Sequence, residues 1–135
     1  MKSLVGRLKR RSEFLRVASK GKKTPQKGLV VQVRACNPTD KHADPDADLW
    51  LGITVSRKVG TAVARNRARR RLRAAARDIL PQIASANHDY VLIGRMATLT
   101  RSYPDLLSDL ETALRRLGAL RKGGGSRPSA STEEQ

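Results

Sequence analysis

Arg57, Lys58, Arg65, Arg67, Arg69, Arg70, Arg71, Arg73 and Arg77 crowd a stretch, Leu49 to Arg77, that contains no acidic residue. A solvated helix face ordinarily mixes signs to gain attractive pairs three or four residues apart, and a run of one sign gives these up. The chemistry that suits such a run is anion binding. A guanidinium is planar and permanently charged; it meets phosphate oxygens in pairs and stacks on exposed bases. Arginines four apart repel by roughly a few tenths of a kcal/mol per pair, and a phosphate-rich partner restores that loss.

Hydrolytic chemistry finds no comparable support. His42 with Asp44, Asp46 and Asp48 is the densest acid cluster, and its alternate spacing has the look of a calcium loop. Such a loop needs Gly at its sixth position and Glu at its twelfth. Counting from Asp44, Leu49 and Val55 stand there, so the segment reads as a solvated acidic loop. His88 stands alone before a strand. Cys36 is the single cysteine, which excludes an internal disulfide or a cysteine-rich zinc site and fits a small residue at a strand end. No Ser-His-Asp set or carboxylate pair stands out, and no side chains are expected to hold a metal.

The elements that must carry the arginines follow from periodicity. A helix is expected from about Ala64 to Ile79, ended by Pro81. At about 100° per residue, Ala64, Ala68, Leu72, Ala75, Ala76 and Ile79 form one stripe, with Asn66, Arg70, Arg73 and Arg77 opposite. The stripe is mostly alanine, so the helix can sit close to a sheet. Gly28–Ala35 and Leu49–Ser56 read as strands before it, and Tyr90–Arg95 as one after it. Ser12–Lys20 reads as a short helix capped by Ser12 and stopped by a left-handed Gly21. Its Leu15 and Ala18 share one face, Phe14 and Val17 the next. A last helix starts near Ser102 and presents Leu106, Leu107, Leu110, Ala113, Leu114 and Leu117 to the sheet. Cys36 to Asp48 is a loop. The sum is an α+β sandwich.

With 135 residues, one domain over 1–121 is expected, followed by a disordered glycine- and serine-rich tail over 122–135. The balance of 28 Lys+Arg against 12 Asp+Glu, a net charge of +16, calls for a polyanion, with nucleic acid ahead of a membrane surface. No apolar run approaches the roughly 20 residues of a spanning helix, and the basic N-terminus leads into no apolar stretch, so a cytoplasmic location is expected. Aromatics make up only 3% of the chain, which leaves a thin platform for stacking bases. Phe14, between Arg11 and Arg16, is the best stacking candidate, a core position being its other reading. Trp50 and Tyr90 fall inside strand patterns and read as core.

Leu51 to Arg73, with Val55-Ser56-Arg57-Lys58, Gly60-Thr61-Ala62-Val63 and Arg65-Asn66-Arg67 in ungapped succession, resembles the signature of the bacterial ribonuclease P protein subunit. Arg7-Leu8-Lys9 with Glu13-Phe14 resembles that family's opening, and Asp89–Arg95 its last strand, so the likeness covers about residues 7 to 117. The resemblance implies a two-layer α/β sandwich in α-β-β-β-α-β-α order, like the second domain of a ribosomal protein, with a left-handed β-α-β crossover, against the usual right-handed rule. The stretch from Gly28 to Ser56 has room for the three strands before the basic helix.

The resemblance also implies that Arg65, Asn66, Arg67, Arg69, Arg70 and Arg73 dock on a catalytic RNA. A cleft formed by Phe14, Val17, Gln32, Ser56, Arg57 and Lys58 would hold the 5′ leader of precursor tRNA. Cleavage would use magnesium ions held by the RNA, with one protein per RNA. Ala18 and Gln32 stand where relatives often place aromatics, which implies weaker stacking on the leader. A ribosomal or RNA-chaperone protein using the same basic helix remains the alternative. A major-groove DNA reader fits poorly, because arginines surround most of the helix and few short polar residues could read bases.

Overall fold

The computed structural model describes residues 3–121; the tail expected over 122–135 lies outside them. The elements run β1 (Val5–Arg7), α1 (Arg11–Lys20), β2 (Lys22–Pro25), β3 (Leu29–Ala35), β4 (Leu49–Val55), α2 (Ala62–Ile83), β5 (His88–Gly94) and α3 (Tyr103–Arg116). Short 3₁₀ turns at Arg57–Val59 and Met96–Leu99 lead out of β4 and β5. One five-stranded sheet has the order β1-β4-β5-β3-β2. β4 and β5 are parallel neighbours joined by α2, while β3 pairs antiparallel with both β5 and β2.

The third strand before the basic helix is β2, not a segment between Gly28 and Ser56. Lys22–Pro25 carries two lysines and a proline and shows no apolar alternation, so its pattern is silent. It is an outer strand held by backbone pairing to Val30–Val33, where proline and exposed lysines are tolerated. β1 adds a further edge strand, parallel to β4 from Leu49 to Leu51.

Two layers form because the strands alternate. Leu29, Val31, Val33, Tyr90 and Leu92 face α2 and α3, where they meet Leu72, Ala75, Ala76, Ile79, Leu106, Leu110, Ala113 and Leu114 in the main core. Each fully buried leucine there contributes about 1.5–3 kcal/mol. On the opposite face α1 covers only part of the sheet, through Val17 packed with Leu8, Trp50 and Val91. Trp50 and Tyr90 are both core residues, as their strand patterns suggest.

Three helix ends depart from expectation. α1 starts at Arg11, and Glu13 rather than Ser12 satisfies its entry: its Oε1 accepts from the Lys9 and Arg10 amides at 2.7 and 2.8 Å. Gly21 is extended (φ −92°), and glycine is needed there because a Cβ would lie 2.5 Å from the Val33 carbonyl oxygen. α2 passes through Pro81 to Ile83, since buried Ile79, Leu80 and Ile83 anchor its last turns. The expected N-cap of α3 holds: Ser102 accepts from the Asp105 amide at 3.2 Å.

Candidate nucleic-acid interface

The arginine helix is built as its periodicity suggests. Thr61 caps α2 by accepting from the Ala64 amide at 3.2 Å. Ala68, Leu72, Ala75, Ala76 and Ile79 are buried, Ala64 is half-buried, and Asn66, Arg70, Arg73 and Arg77 are exposed. The flanking arginines divide into two groups. Arg71 turns toward the Met96–Leu99 turn, where Nε donates to the Thr98 carbonyl at 2.9 Å and Nη2 donates to the Arg101 carbonyl. Its guanidinium is spent on holding the fold.

Arg65, Arg69, Arg73 and Arg77 stand four residues apart and form a row that runs from the other flank, at half-buried Arg65 and Arg69, onto the exposed face at Arg73 and Arg77. At one end of this row, Arg57, Arg65, Asn66 and Arg69 line a 310 Å³ groove with Val55 and Ala62. Asn66 Oδ1 accepts from Arg69 Nη1 at 3.0 Å, which orients that guanidinium. At the other end, Arg73 and Arg77 line a 400 Å³ groove with Arg7, Phe14, Gly52 and Pro81. Among the predicted contacts Arg67 and Arg70 are exposed as well.

The second candidate surface is the part of the sheet that α1 leaves open. Register places Gly52, Val91, Gln32 and Lys23 in one row across β4, β5, β3 and β2, and Thr54, Ile93, Val30 and Pro25 in the next. Phe14 lies on the first row: a Cβ at Gly52 would sit 2.4 Å from its ring, so only glycine lets the ring rest on the β4 backbone. Val17 is 1% exposed and packs against Val91. It therefore supports the floor and offers no contact surface of its own. Gln32, Val30 and Ile93 are half-buried and Thr54 is exposed, so this strip faces solvent. Ser56, Arg57 and Lys58 continue from the end of β4 and are exposed. The grooves divide the expected leader residues, with Phe14 beside Arg73 and Arg77, and Arg57 beside Arg65 and Arg69.

The family model for ribonuclease P matches residues 5–118. The chain belongs to the bacterial ribonuclease P protein family. Among its relatives, the ribonuclease P protein component of Paramagnetospirillum magneticum is 51% identical over 122 residues, covering 90% of each chain. That of Gluconacetobacter diazotrophicus is 45% identical over 112 residues, 83% of this chain and 90% of the relative. The solved Staphylococcus aureus protein superposes with a TM-score of 0.66 at 26% identity, covering 85% of this chain and 97% of that one. The match over residues 5–118 agrees with the likeness read from sequence over about residues 7 to 117.

The loop from Cys36 to Asp48 carries what sequence reasoning missed. Two of its acids tie β1 in place: Asp44 Oδ2 accepts from the Arg7 amide at 3.0 Å and Asp48 Oδ2 from the Leu4 amide at 2.6 Å. Glu13 Oε2 accepts from the Ala43 amide at 2.8 Å, joining the loop to α1. Burial pushes the Glu13 carboxyl up, but its backbone N–H partners outweigh that and hold it below its ordinary value. Arg34 Nη1 meets Asp40 at 2.7 Å and Asp89 at 3.3 Å, and the Arg34 hydrogen bond holds Asp40 down at about 2. His42 lies 2.6 Å from Asp89 and stacks on Trp50 with ring centroids 3.7 Å apart. The one sequence signal for this network is that Arg34 and Asp89 are charged residues inside apolar strands, where an unpaired charge would be costly.

Proposed function

We propose that this chain is the protein subunit of ribonuclease P and assists endonucleolytic removal of the 5′ leader from precursor tRNA. The observation that carries this reading is the arginine row of α2, which runs from the end of β4 to the groove holding Phe14, beside an uncovered strip of sheet. Arg65, Asn66, Arg67, Arg69, Arg70 and Arg73 dock on the catalytic RNA as one protein per RNA, and their charge screens the repulsion between RNA and substrate. The leader lies across the strip between Phe14 and Gln32 and leaves past Ser56, Arg57 and Lys58, with Val17 beneath it.

Phe14 is the one aromatic on this path, so backbone phosphate contacts carry more of the leader binding than stacking does. On this reading catalysis resides in the RNA, and magnesium ions bound there would supply the activation of water and the stabilisation of the leaving oxygen. The protein orients and holds, in the cytoplasm, where tRNA precursors are made. No helix among the described residues is long and apolar enough to cross a membrane.

The test is cleavage of precursor tRNA at low magnesium by a bacterial ribonuclease P RNA, with and without the protein. Leader removal should rise strongly when protein is added. Cleavage unchanged by added protein would count against the reading.

A further inference from the structure

We propose that Cys36, His42 and Asp89 form a binding site for a borderline transition-metal dication of the zinc(II) type, which locks the 36–48 loop onto the sheet. The proposal is independent of the RNA surfaces. Cys36 Sγ, His42 Nε2 and Asp89 Oδ1 converge: Sγ lies 4.0 Å from Nε2 and 3.5 Å from Oδ1, and Nε2 lies 2.6 Å from Oδ1. Zinc bonds of 2.0–2.3 Å in a tetrahedron require ligand separations of about 3.3–3.8 Å. The sulfur–oxygen separation of 3.5 Å falls within that range, the sulfur–nitrogen separation of 4.0 Å must close by a few tenths of an ångström, and the third needs less than about 1 Å of opening as the hydrogen bond gives way to the metal.

The surroundings orient each ligand. Stacking on Trp50, with an interplanar angle of 7°, fixes the plane of the His42 ring. Arg34 Nη1 at 3.3 Å from Asp89 Oδ2 occupies the other carboxylate oxygen and leaves Oδ1 directed at the cluster. Asp40 in turn neutralises Arg34 at 2.7 Å. Such outer partners are what metal-ligating histidines and carboxylates ordinarily require. Asp89 is fully buried and the His42 side chain is 5% exposed, whereas Cys36 is half-buried and gives a path for entry and a fourth position for water.

Charges also balance. A dication with one thiolate, one carboxylate and a neutral imidazole sums to zero, and Arg34 with Asp40 sums to zero beside it. On binding, the Cys36 thiol proton passes to solvent and the His42 Nε2 proton moves to Nδ1, so that sulfur and Nε2 each give an electron pair to the metal. The sulfur and nitrogen donors suit zinc or cobalt and disfavour magnesium.

The test is equilibrium titration of the full chain, stripped of metal and RNA, with zinc chloride and separately with cobalt chloride. One equivalent of zinc should bind, with excess magnesium failing to displace it, and cobalt should give a thiolate charge-transfer band. Cys36→Ser and His42→Gln, with folding checked by circular dichroism, should each weaken zinc binding at least about tenfold. Cys36→Ser should also remove the cobalt band. Absence of saturable one-to-one binding, or equal binding by wild type and Cys36→Ser, would overturn the proposal.

Discussion

Replacing Arg65, Arg69 and Arg73 together by alanine separates RNA binding from folding. The row from Arg65 to Arg77 contains like-charge pairs at 65/69, 69/73 and 73/77, and the triple substitution removes all of them. Relief of roughly a few tenths of a kcal/mol per pair, with alanine the best helix former, leaves the variant at least as stable as wild type. Against RNA the same change removes up to three phosphate contacts. The slope of log K against log salt should fall by roughly 2–3, at about 0.7–0.9 per contact. At about 1 kcal/mol per contact, affinity should fall about a hundredfold. Arg71→Ala is the internal control, because its guanidinium is committed to the Thr98 and Arg101 carbonyls. That variant should lose about 1–3 kcal/mol of stability with the salt slope unchanged. The assay is binding to ribonuclease P RNA across a salt series, paired with thermal unfolding. A triple variant with the wild-type slope, or one whose weaker binding follows from melting, would refute the assignment of the row.

The close approach at Gly52 and the network at Asp40 give two further expectations. Gly52→Ala places a methyl group 2.4 Å from the Phe14 ring, which must swing aside, and denaturant unfolding should show a loss of about 1 kcal/mol; equal or greater stability would contradict the packing described. Asp40 titrates at about 2 when folded against an ordinary 3.8, so its carboxylate adds about 2 kcal/mol above pH 4 that is lost as pH falls toward 2. The stability difference between wild type and Asp40→Asn should therefore shrink by that amount on acidification, and a gap independent of pH would count against the Arg34 pairing.

Much of this arrangement was legible where one physical rule dominates. The stripe of Ala68, Leu72, Ala75, Ala76 and Ile79 needs only helical periodicity, and Ser102 and Leu106 announce α3 in the same way. The outer strands were hidden because backbone pairing, not side-chain burial, makes them: Lys22–Pro25 has no buried residue, and β1 is three residues held partly by Asp44 and Asp48. Pro81 misled as a stop because tertiary burial of Ile83 outweighs the one hydrogen bond a proline forfeits. The exposed arginine surface was readable from charge and periodicity, but Arg71 could be set apart from Arg69 only once the Met96–Leu99 turn was seen beside it. Val17, expected in the leader cleft, faces inward because Leu8, Trp50 and Val91 converge on it from distant parts of the chain. The Cys36–His42–Asp89 cluster joins a loop to a strand across more than fifty residues, a pairing no local pattern reports.

The division of labour between the α2 arginines and the open strip of sheet is tested most directly by measuring how well the reconstituted holoenzyme prefers precursor over mature tRNA. Phe14→Ala should cut that preference, with the affinity of the protein for ribonuclease P RNA unchanged. The Arg65, Arg69 and Arg73 triple variant should weaken assembly with the RNA, yet retain the preference once enough protein is added to saturate it. Loss of both properties in both variants would contradict two separate surfaces.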